Sequence, residues 1–267
     1  MFDFYFQLPL WASTTLVLAV CVAVGVGGHL LAGRIFGKNT QQETELALAL
    51  MGVIAAFIGI MLAFSAVQVW EDYGAADKAV ASEAASAAQL YRDLAIYGDE
   101  SLPARRALTT YVHTAVEDEW PSMAKTGDPS PKTAAALVQL FQEIATIDPT
   151  SGRQTVIYAE AFKKLNEVVE HRRARLLGAH SELPALFWLV ALAGSGIILA
   201  YTFIYPATRT NLMLIAGLAA SLGLIFVFIL DVEHPFSGRV SVSSEELRGL
   251  IPLFEALNRA HGSQGRS

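Results

Sequence analysis

Four long runs of apolar residues lie along the chain, at residues 11–33, 46–70, 183–206 and 212–230. Each run holds about 20 residues or more, the length that an α-helix needs to cross a hydrocarbon core of roughly 30 Å. His29 is the only Asp, Glu, His, Lys or Arg within them. The pattern therefore predicts four transmembrane helices. Glycine and serine recur in these runs, which is typical of helices that pack closely in lipid, either within one bundle or between subunits.

The apolar pattern continues past the second run. One stripe advances in alternating steps of three and four residues, as one face of a long helix requires. Its members are Val69, Tyr73, Ala76, Val80, Ala84, Ala87, Tyr91 and Leu94. A single helix over residues 45–96 would be roughly 75 Å long at about 1.5 Å per residue. The second transmembrane helix is therefore expected to project well beyond the bilayer.

The rest of the region between the second and third runs predicts further helices and no strand. Proline, glycine and aspartate separate its apolar stripes, and the first and last of these helices are expected to pack antiparallel. One of the helices is expected to end near Trp120 and Pro121, with Trp120 in the core. The predicted fold is an all-α membrane protein with four transmembrane helices and a helical soluble domain inserted between the second and third. The predicted divisions are residues 1–70, 71–183, 184–230 and 231–267. The last holds a Pro-Phe-Ser-Gly segment, a short helix to about Asn258 and a disordered tail.

Composition narrows the function classes. Of the 267 residues, 53% are apolar and 16% charged, a low charged share for a soluble domain. The net charge of -6 gives no reason to expect a nucleic-acid partner. The chain lacks a zinc-type His-Glu-x-x-His, a phosphate-binding glycine loop and a Gly-x-Ser-x-Gly element. We therefore predict a protein that is not an enzyme and has no cofactor, and the sequence identifies no metal.

Basic residues indicate the orientation. Arg34, Lys38 and Arg209 lie in the two short loops, whereas the residues before the first run include no Lys or Arg. The positive-inside rule places the short loops in the cytoplasm, and the soluble domain and both termini outside. Arg172 and Arg175, close to the third run, count against this orientation. The non-basic start also predicts an uncleaved first helix and not a signal peptide.

Polar residues cluster where the second and fourth runs end. Ser65, Gln68 and Asp72 are spaced to share one helix face, and Glu71 lies beside them. Asp231 and Glu233 follow the fourth run and are expected at about the same depth. Solvated charges at the ends of transmembrane helices explain these residues simply. The alternative is a ring of carboxylates at a pore mouth or a cation site, and such rings favour cations. The candidate ion-pathway residues are Ser65, Gln68, Glu71, Asp72, Asp231 and Glu233.

A second set of charges lies in the soluble domain. Glu83 and the run from Tyr91 to Asp93 belong to the long helix, and Arg172 and Arg175 to its antiparallel partner. Ion pairs between the two helices are the simpler interpretation. A site for an anion or another ligand is the alternative.

Several segments carry a family likeness. They read V-W-E-D-Y at residues 69–73, A-S-E-A-A-S-A-A-Q-L-Y-R-D-L at 81–94, E-D-E-W-P at 117–121 and D-V-E-H-P-F-S-G-R-V-S-V at 231–242, with further matches at 158–166 and 172–177. In these segments the chain resembles the bestrophin-like family of bacterial membrane proteins. The resemblance implies kinship with the bestrophin anion channels, which are oligomers with four membrane helices per subunit.

Two functions remain open at this point. The first is an oligomeric ion channel or ion-transport protein with an acidic, cation-favouring mouth, whose partners are the lipid bilayer, further copies of the chain and an inorganic ion. The second is a non-conducting membrane protein that senses, scaffolds or binds through its soluble helical domain. The scarcity of charge within the apolar runs favours the second, because pores and transporters usually carry buried ionisable residues.

Overall fold

The computed structural model describes residues 8–35, 41–237 and 239–264, and the regular elements formed by these residues are helices, without a β-strand. The chain divides into two compact units. Unit 1 comprises Met1–Glu71 and Glu182–Glu233, and unit 2 comprises Asp72–Ser181 and His234–Ser267. Lys38 in the first short loop, Gly238 of the Pro-Phe-Ser-Gly segment and the last three residues lie outside the described residues. The predicted all-helical class is confirmed for the described part of the chain.

Unit 1 contains the four apolar helices. They are α1 (Leu10–Ile35), the first part of α2 (Gln41–Tyr97), α7 (Ala185–Tyr201) with a 3₁₀ turn at Thr202–Ile204, and α8 (Arg209–Val232). All four are long and apolar enough to cross a membrane. α2 continues without a break as far as Tyr97, so the predicted long helix is confirmed.

Glycines allow the helices of unit 1 to approach closely. A Cβ atom on Gly25 of α1 would lie 3.1 Å from the Cβ of Ala219 on α8. A Cβ on Gly194 of α7 would lie 2.2 Å from the Cδ1 of Ile58, so the Ile58 side chain of α2 fills the space that this glycine leaves. These glycines therefore serve packing within the subunit. Other glycines have no atom within 4 Å of a Cβ position, namely Gly27, Gly52, Gly59, Gly196 and Gly217.

Unit 2 is built from the second part of α2 and eight further elements. They are a 3₁₀ turn at Asp99–Ser101, α3 (Leu102–Thr114), a π-helical turn at Ala115–Glu119, α4 (Trp120–Thr126), α5 (Pro131–Ala145), α6 (Gly152–Gly178), and the short α9 (Glu245–Arg248) with α10 (Leu250–Gln264). α2 and α6 run antiparallel, as predicted, because Glu83 pairs with Arg175 whereas Ser86, further along α2, bonds to Glu167, earlier on α6.

The core of unit 2 follows the predicted stripes. Fully buried side chains come from every long helix of the unit, and they include Leu90, Leu94, Leu108, Tyr111, Val112, Leu140, Ile144, Leu165 and Val168. Burial of apolar side chains at about 25 cal/mol per Å² is the main force that holds such a helical unit together.

Two elements differ from the sequence prediction. The helix expected to end near Trp120 and Pro121 instead continues through a π turn into α4. Pro121 is compatible with this path because it stands in the first turn of α4, where its missing N–H is not needed. α10 also extends to Gln264, beyond the predicted end at Asn258.

Candidate functional site

Three predicted ion-pathway residues lie on α2 within unit 1. The Ser65 hydroxyl donates a 2.9 Å hydrogen bond to the carbonyl oxygen of Met61, one turn earlier on the same helix, and Ser65 is half-buried. Gln68 and Glu71 are exposed. The predicted polar face is therefore split, since Ser65 turns partly inward while Gln68 and Glu71 face outward.

The other three predicted residues are acids that the fold covers at least in part. Asp231 and Glu233 lie at the end of α8 in unit 1 and are only 4% and 6% exposed. The backbone N–H of Leu183 donates a 2.7 Å hydrogen bond to Glu233. Asp72 belongs to unit 2, where it is half-buried and accepts a 3.0 Å hydrogen bond from the Ser181 hydroxyl. Among the four acids Glu71 is the exposed one, and their convergence at one depth stays a prediction.

A cluster of fully buried charges lies inside unit 2. The Arg175 guanidinium donates to both carboxylate oxygens of Glu83, with N···O distances of 2.7 and 3.1 Å. Its Nη2 also donates to Glu119 at 2.8 Å, and its Nη1 contacts the Met123 sulfur at 2.9 Å. The ring of Trp120 lies 5.1 Å from the guanidinium carbon, a cation–π distance. Arg175 thus connects α2, the π turn and α4 from its position on α6.

Glu119 is the second centre of this cluster. It is the last residue of the π turn and has no exposed surface. Arg172, one turn before Arg175 on α6, donates to both of its oxygens, at 3.1 and 2.5 Å. The backbone N–H of Ser130 adds a 3.3 Å hydrogen bond. The π turn inserts one residue per turn relative to an α-helix, and here it ends with the Glu119 carboxylate beside both arginines.

The electrostatics of the cluster favour its charged form. Burial alone would lower the pKa of Arg175, but the charge and hydrogen bonds of Glu83 raise it above the usual value. The Tyr111 hydroxyl donates a 2.6 Å hydrogen bond to Glu83, and burial, followed by the charge of Glu83, raises the pKa of Tyr111 well above 10.0. Two carboxylates face two guanidinium groups, so the cluster is electrically balanced.

Glu83, Glu119, Arg172 and Arg175 form a structural clamp, a set of buried ion pairs that holds α2, the π turn and α6 together. The carboxylates of Glu83 and Glu119 are fully hydrogen-bonded, and among the described residues there is no group of three or more potential metal ligands. The predicted ion pair between α2 and α6 is confirmed for Glu83 and Arg175, whereas Arg172 pairs with Glu119 of the π turn and not with α2. Sequence reasoning missed Glu119 as the partner of both arginines. Its only sequence signal is its position directly before the Trp-Pro pair.

Tyr91 takes part in a different contact. Its hydroxyl lies 2.9 Å from the Asn258 side-chain oxygen and 3.2 Å from the carbonyl oxygen of Phe254. Its ring stacks on that of Phe254, with centroids 4.2 Å apart. Tyr91 therefore attaches α10 to the rest of unit 2, and it is not a member of the clamp.

Fold and composition together define an all-helical, multi-pass membrane protein. The family model of the bestrophin-like domain matches residues 19–247, from within α1 to α9. The chain therefore belongs to the bestrophin-like family. No curated protein and no solved structure matches it.

Proposed function

We propose that the protein is an oligomeric ion-transport protein of the bestrophin-like family, in which the membrane part of α2 from each subunit faces a shared axis. The observation that carries this proposal is an exposed stripe on α2 in unit 1. The stripe advances in alternating steps of four and three residues and consists of Leu46, Leu50, Val53, Phe57, Ile60, Phe64, Val67 and Glu71. A sustained repeat of 3.5 residues is the spacing of helices that supercoil around one another.

The surroundings of this stripe support a protein partner in addition to lipid. Only 11% of the most apolar stretch of α2 is buried within the subunit, against 33% for α7 and for α8. Gly52 and Gly59 flank the stripe, seven residues apart, with open space where side chains would be. Small residues on an open helix surface permit close approach of a second helix in lipid.

The acidic mouth is assigned to Glu71 in this proposal. Glu71 ends the exposed stripe and is beside Gln68, which is exposed as well. Symmetry would repeat each side chain around the axis, and a ring of glutamates would attract cations. Asp72 is not part of the proposed mouth, because it belongs to unit 2 and accepts a hydrogen bond from Ser181 there.

The test is a size measurement of the purified protein in detergent, followed by cation and chloride flux into liposomes. Wild type should be an oligomer and conduct, and Glu71→Gln should lower its preference for cations. Asp77→Asn, which changes an exposed acid six residues further along α2, is the matched control and should leave the preference unchanged. A monomer, or the absence of flux for both ions, would reject the proposal. If wild type conducts chloride and Glu71→Gln does not alter that flux, the protein is a channel but has no acidic mouth at Glu71.

The second candidate is a non-conducting membrane protein that acts through unit 2. The observation that favours it is the absence of Asp, Glu, Lys or Arg from residues 46–70 of α2 and from residues 185–201 of α7. The flux assay separates the two candidates, since a stable oligomer without flux supports the second.

A further inference from the structure

A groove lies in unit 1 where α7 ends and α8 begins. It encloses about 350 Å³ and opens to the surface. Its walls come from the 3₁₀ turn after α7, the short loop and the first turns of α8, namely from Thr202, Tyr205, Asn211, Leu214, Ile215 and Leu218. Sites for small organic ligands have volumes of about 300–1,000 Å³. The groove is therefore large enough to hold part of such a ligand.

One end of the groove is polar. The Asn211 amide donates a 2.9 Å hydrogen bond to the carbonyl oxygen of Pro206, which fixes its position at the start of α8. Tyr205 is half-buried, and its hydroxyl has no hydrogen-bond partner among the described residues. Tyrosine is common where a membrane meets water, because its ring is apolar and its hydroxyl is polar. The Tyr205 hydroxyl is therefore available to a ligand at this end.

The other end of the groove is apolar and lies further along α8. Leu214 and Leu218 follow Asn211 by roughly 5 and 10 Å at about 1.5 Å per residue. Leu214 is 68% exposed, although Ile215 beside it is buried. α8 is long and apolar enough to cross a membrane, so this direction leads towards hydrocarbon. A ligand that fills the groove therefore needs a polar group at one end and an apolar chain at the other.

The charge at this end of α8 is positive. Arg209 is the first residue of α8 and is exposed. It is the only Lys or Arg between residues 183 and 233, and Asp231 is the first acid after Glu182. The planar guanidinium group matches two oxygens of a phosphate group. The polar group of the ligand is therefore expected to be a phosphate with a net negative charge.

We propose that this groove binds an anionic phospholipid. The phosphate lies at Arg209, which donates two parallel hydrogen bonds to it, and the Tyr205 hydroxyl donates a third. One acyl chain lies along Leu214 and Leu218. Basic pockets beside membrane helices are suited to such headgroups. The site is separate from the stripe on α2 and does not depend on ion conduction.

The test compares two lipids with the same acyl chains, phosphatidylglycerol, which has a net negative charge, and phosphatidylcholine, which has none. Each is added to the full chain in detergent, and thermal unfolding is followed. A ligand that binds only the folded state raises the midpoint along a saturating curve, by roughly 5–10 °C at about 100 times the dissociation constant. We expect this rise with phosphatidylglycerol and a smaller rise with phosphatidylcholine. Equal rises with both lipids, or the same rise with inorganic phosphate alone, overturn the proposal.

Leu214→Trp tests the apolar end of the groove. The indole ring occupies the space of the acyl chain, so the rise with phosphatidylglycerol should be abolished. Met213→Trp is the matched control and should retain the rise, because Met213 is 74% exposed and does not line the groove. An unchanged rise in Leu214→Trp overturns the proposal. A smaller oligomer of Leu214→Trp in detergent without added lipid also overturns it, because the groove would then hold a neighbouring subunit.

Arg209→Gln tests the charged end. The rise of this variant with phosphatidylglycerol should fall to that with phosphatidylcholine. Arg153→Gln, at an exposed arginine on α6, is the matched control and should keep the preference. Both arginines are exposed, so neither change should prevent folding. A preference that persists in Arg209→Gln overturns the anionic site, and this variant decides if Leu214→Trp does not fold.

Discussion

Arg175 donates two hydrogen bonds to Glu83 across 92 positions of sequence, and neither side chain has any exposed surface. The pair joins the second part of α2 to α6, the two longest helices of unit 2. Because both groups are charged and fully enclosed, each is tolerated only in the presence of the other. The register of α2 against α6 is thus specified by a polar contact within an otherwise apolar core.

Removal of one member of this pair should be strongly destabilising. Glu83→Leu leaves the Arg175 charge buried with Glu119 as its remaining carboxylate, and we expect it to lower the free energy of unfolding by about 3–5 kcal/mol. Glu83→Leu combined with Arg175→Met should recover part of the loss, because the Arg175 charge is then no longer buried without Glu83, while Glu119 keeps its hydrogen bonds from Arg172 and Ser130. Chemical denaturation in detergent measures both values.

The exposed pair of Lys132 and Asp118 is the control for that experiment. Its N···O distance is 2.7 Å, as short as that of the buried pair, but the lysine side chain is 74% exposed. Lys132→Ala should cost about 1 kcal/mol or less, because solvent screens surface pairs. A loss for Glu83→Leu as small as that for Lys132→Ala would contradict the role of the clamp.

Tyr111 should make the stability of unit 2 sensitive to alkali. Its folded-state pKa is raised above 10.0, by burial and then by Glu83. The neutral hydroxyl is therefore favoured in the folded state, and this contribution is fully present below about pH 10 and is lost as the pH rises through the folded-state pKa. Tyr111→Phe should remove that alkaline loss. At pH 7 the same variant should be less stable by about 1.5–3 kcal/mol, since the hydrogen bond to a charged group is missing.

Unfolding measured from pH 7 to 11 tests both parts of this prediction. The curves of wild type and Tyr111→Phe should converge above pH 10. Parallel curves over the whole range would show that Tyr111 does not couple folding to pH.

The orientation predicted from the basic loop residues can be tested by cysteine labelling. In a Cys21→Ser background, Asn39→Cys places a thiol in the first short loop, and Asp128→Cys places one in an exposed turn of unit 2. With the short loops in the cytoplasm, an impermeant thiol reagent on intact cells should label only the cysteine at position 128. Labelling at position 39 alone would reverse the topology.

The number of apolar helices and the length of α2 could be predicted from the sequence because they depend on local properties. Helix α2 was expected over residues 45–96 and extends over Gln41–Tyr97. A run of apolar residues and a stripe with helical spacing are both readable within a few turns. The antiparallel partner on α6 was predictable for the same reason, since its stripe faces the one on α2.

The tertiary structure decided how the polar residues are used. Ser65, Gln68 and Asp72 share a spacing, but only the packing of the helices shows that Gln68 is exposed while Asp72 bonds to Ser181. Glu119 meets Arg172 and Arg175 across 53 and 56 positions. Arg105 and its neighbour Arg106 are the same residue type, yet one is enclosed and the other exposed. Burial and pairing depend on side chains that are distant in sequence. The periodicity of apolar residues along the chain does not show which of these side chains come into contact.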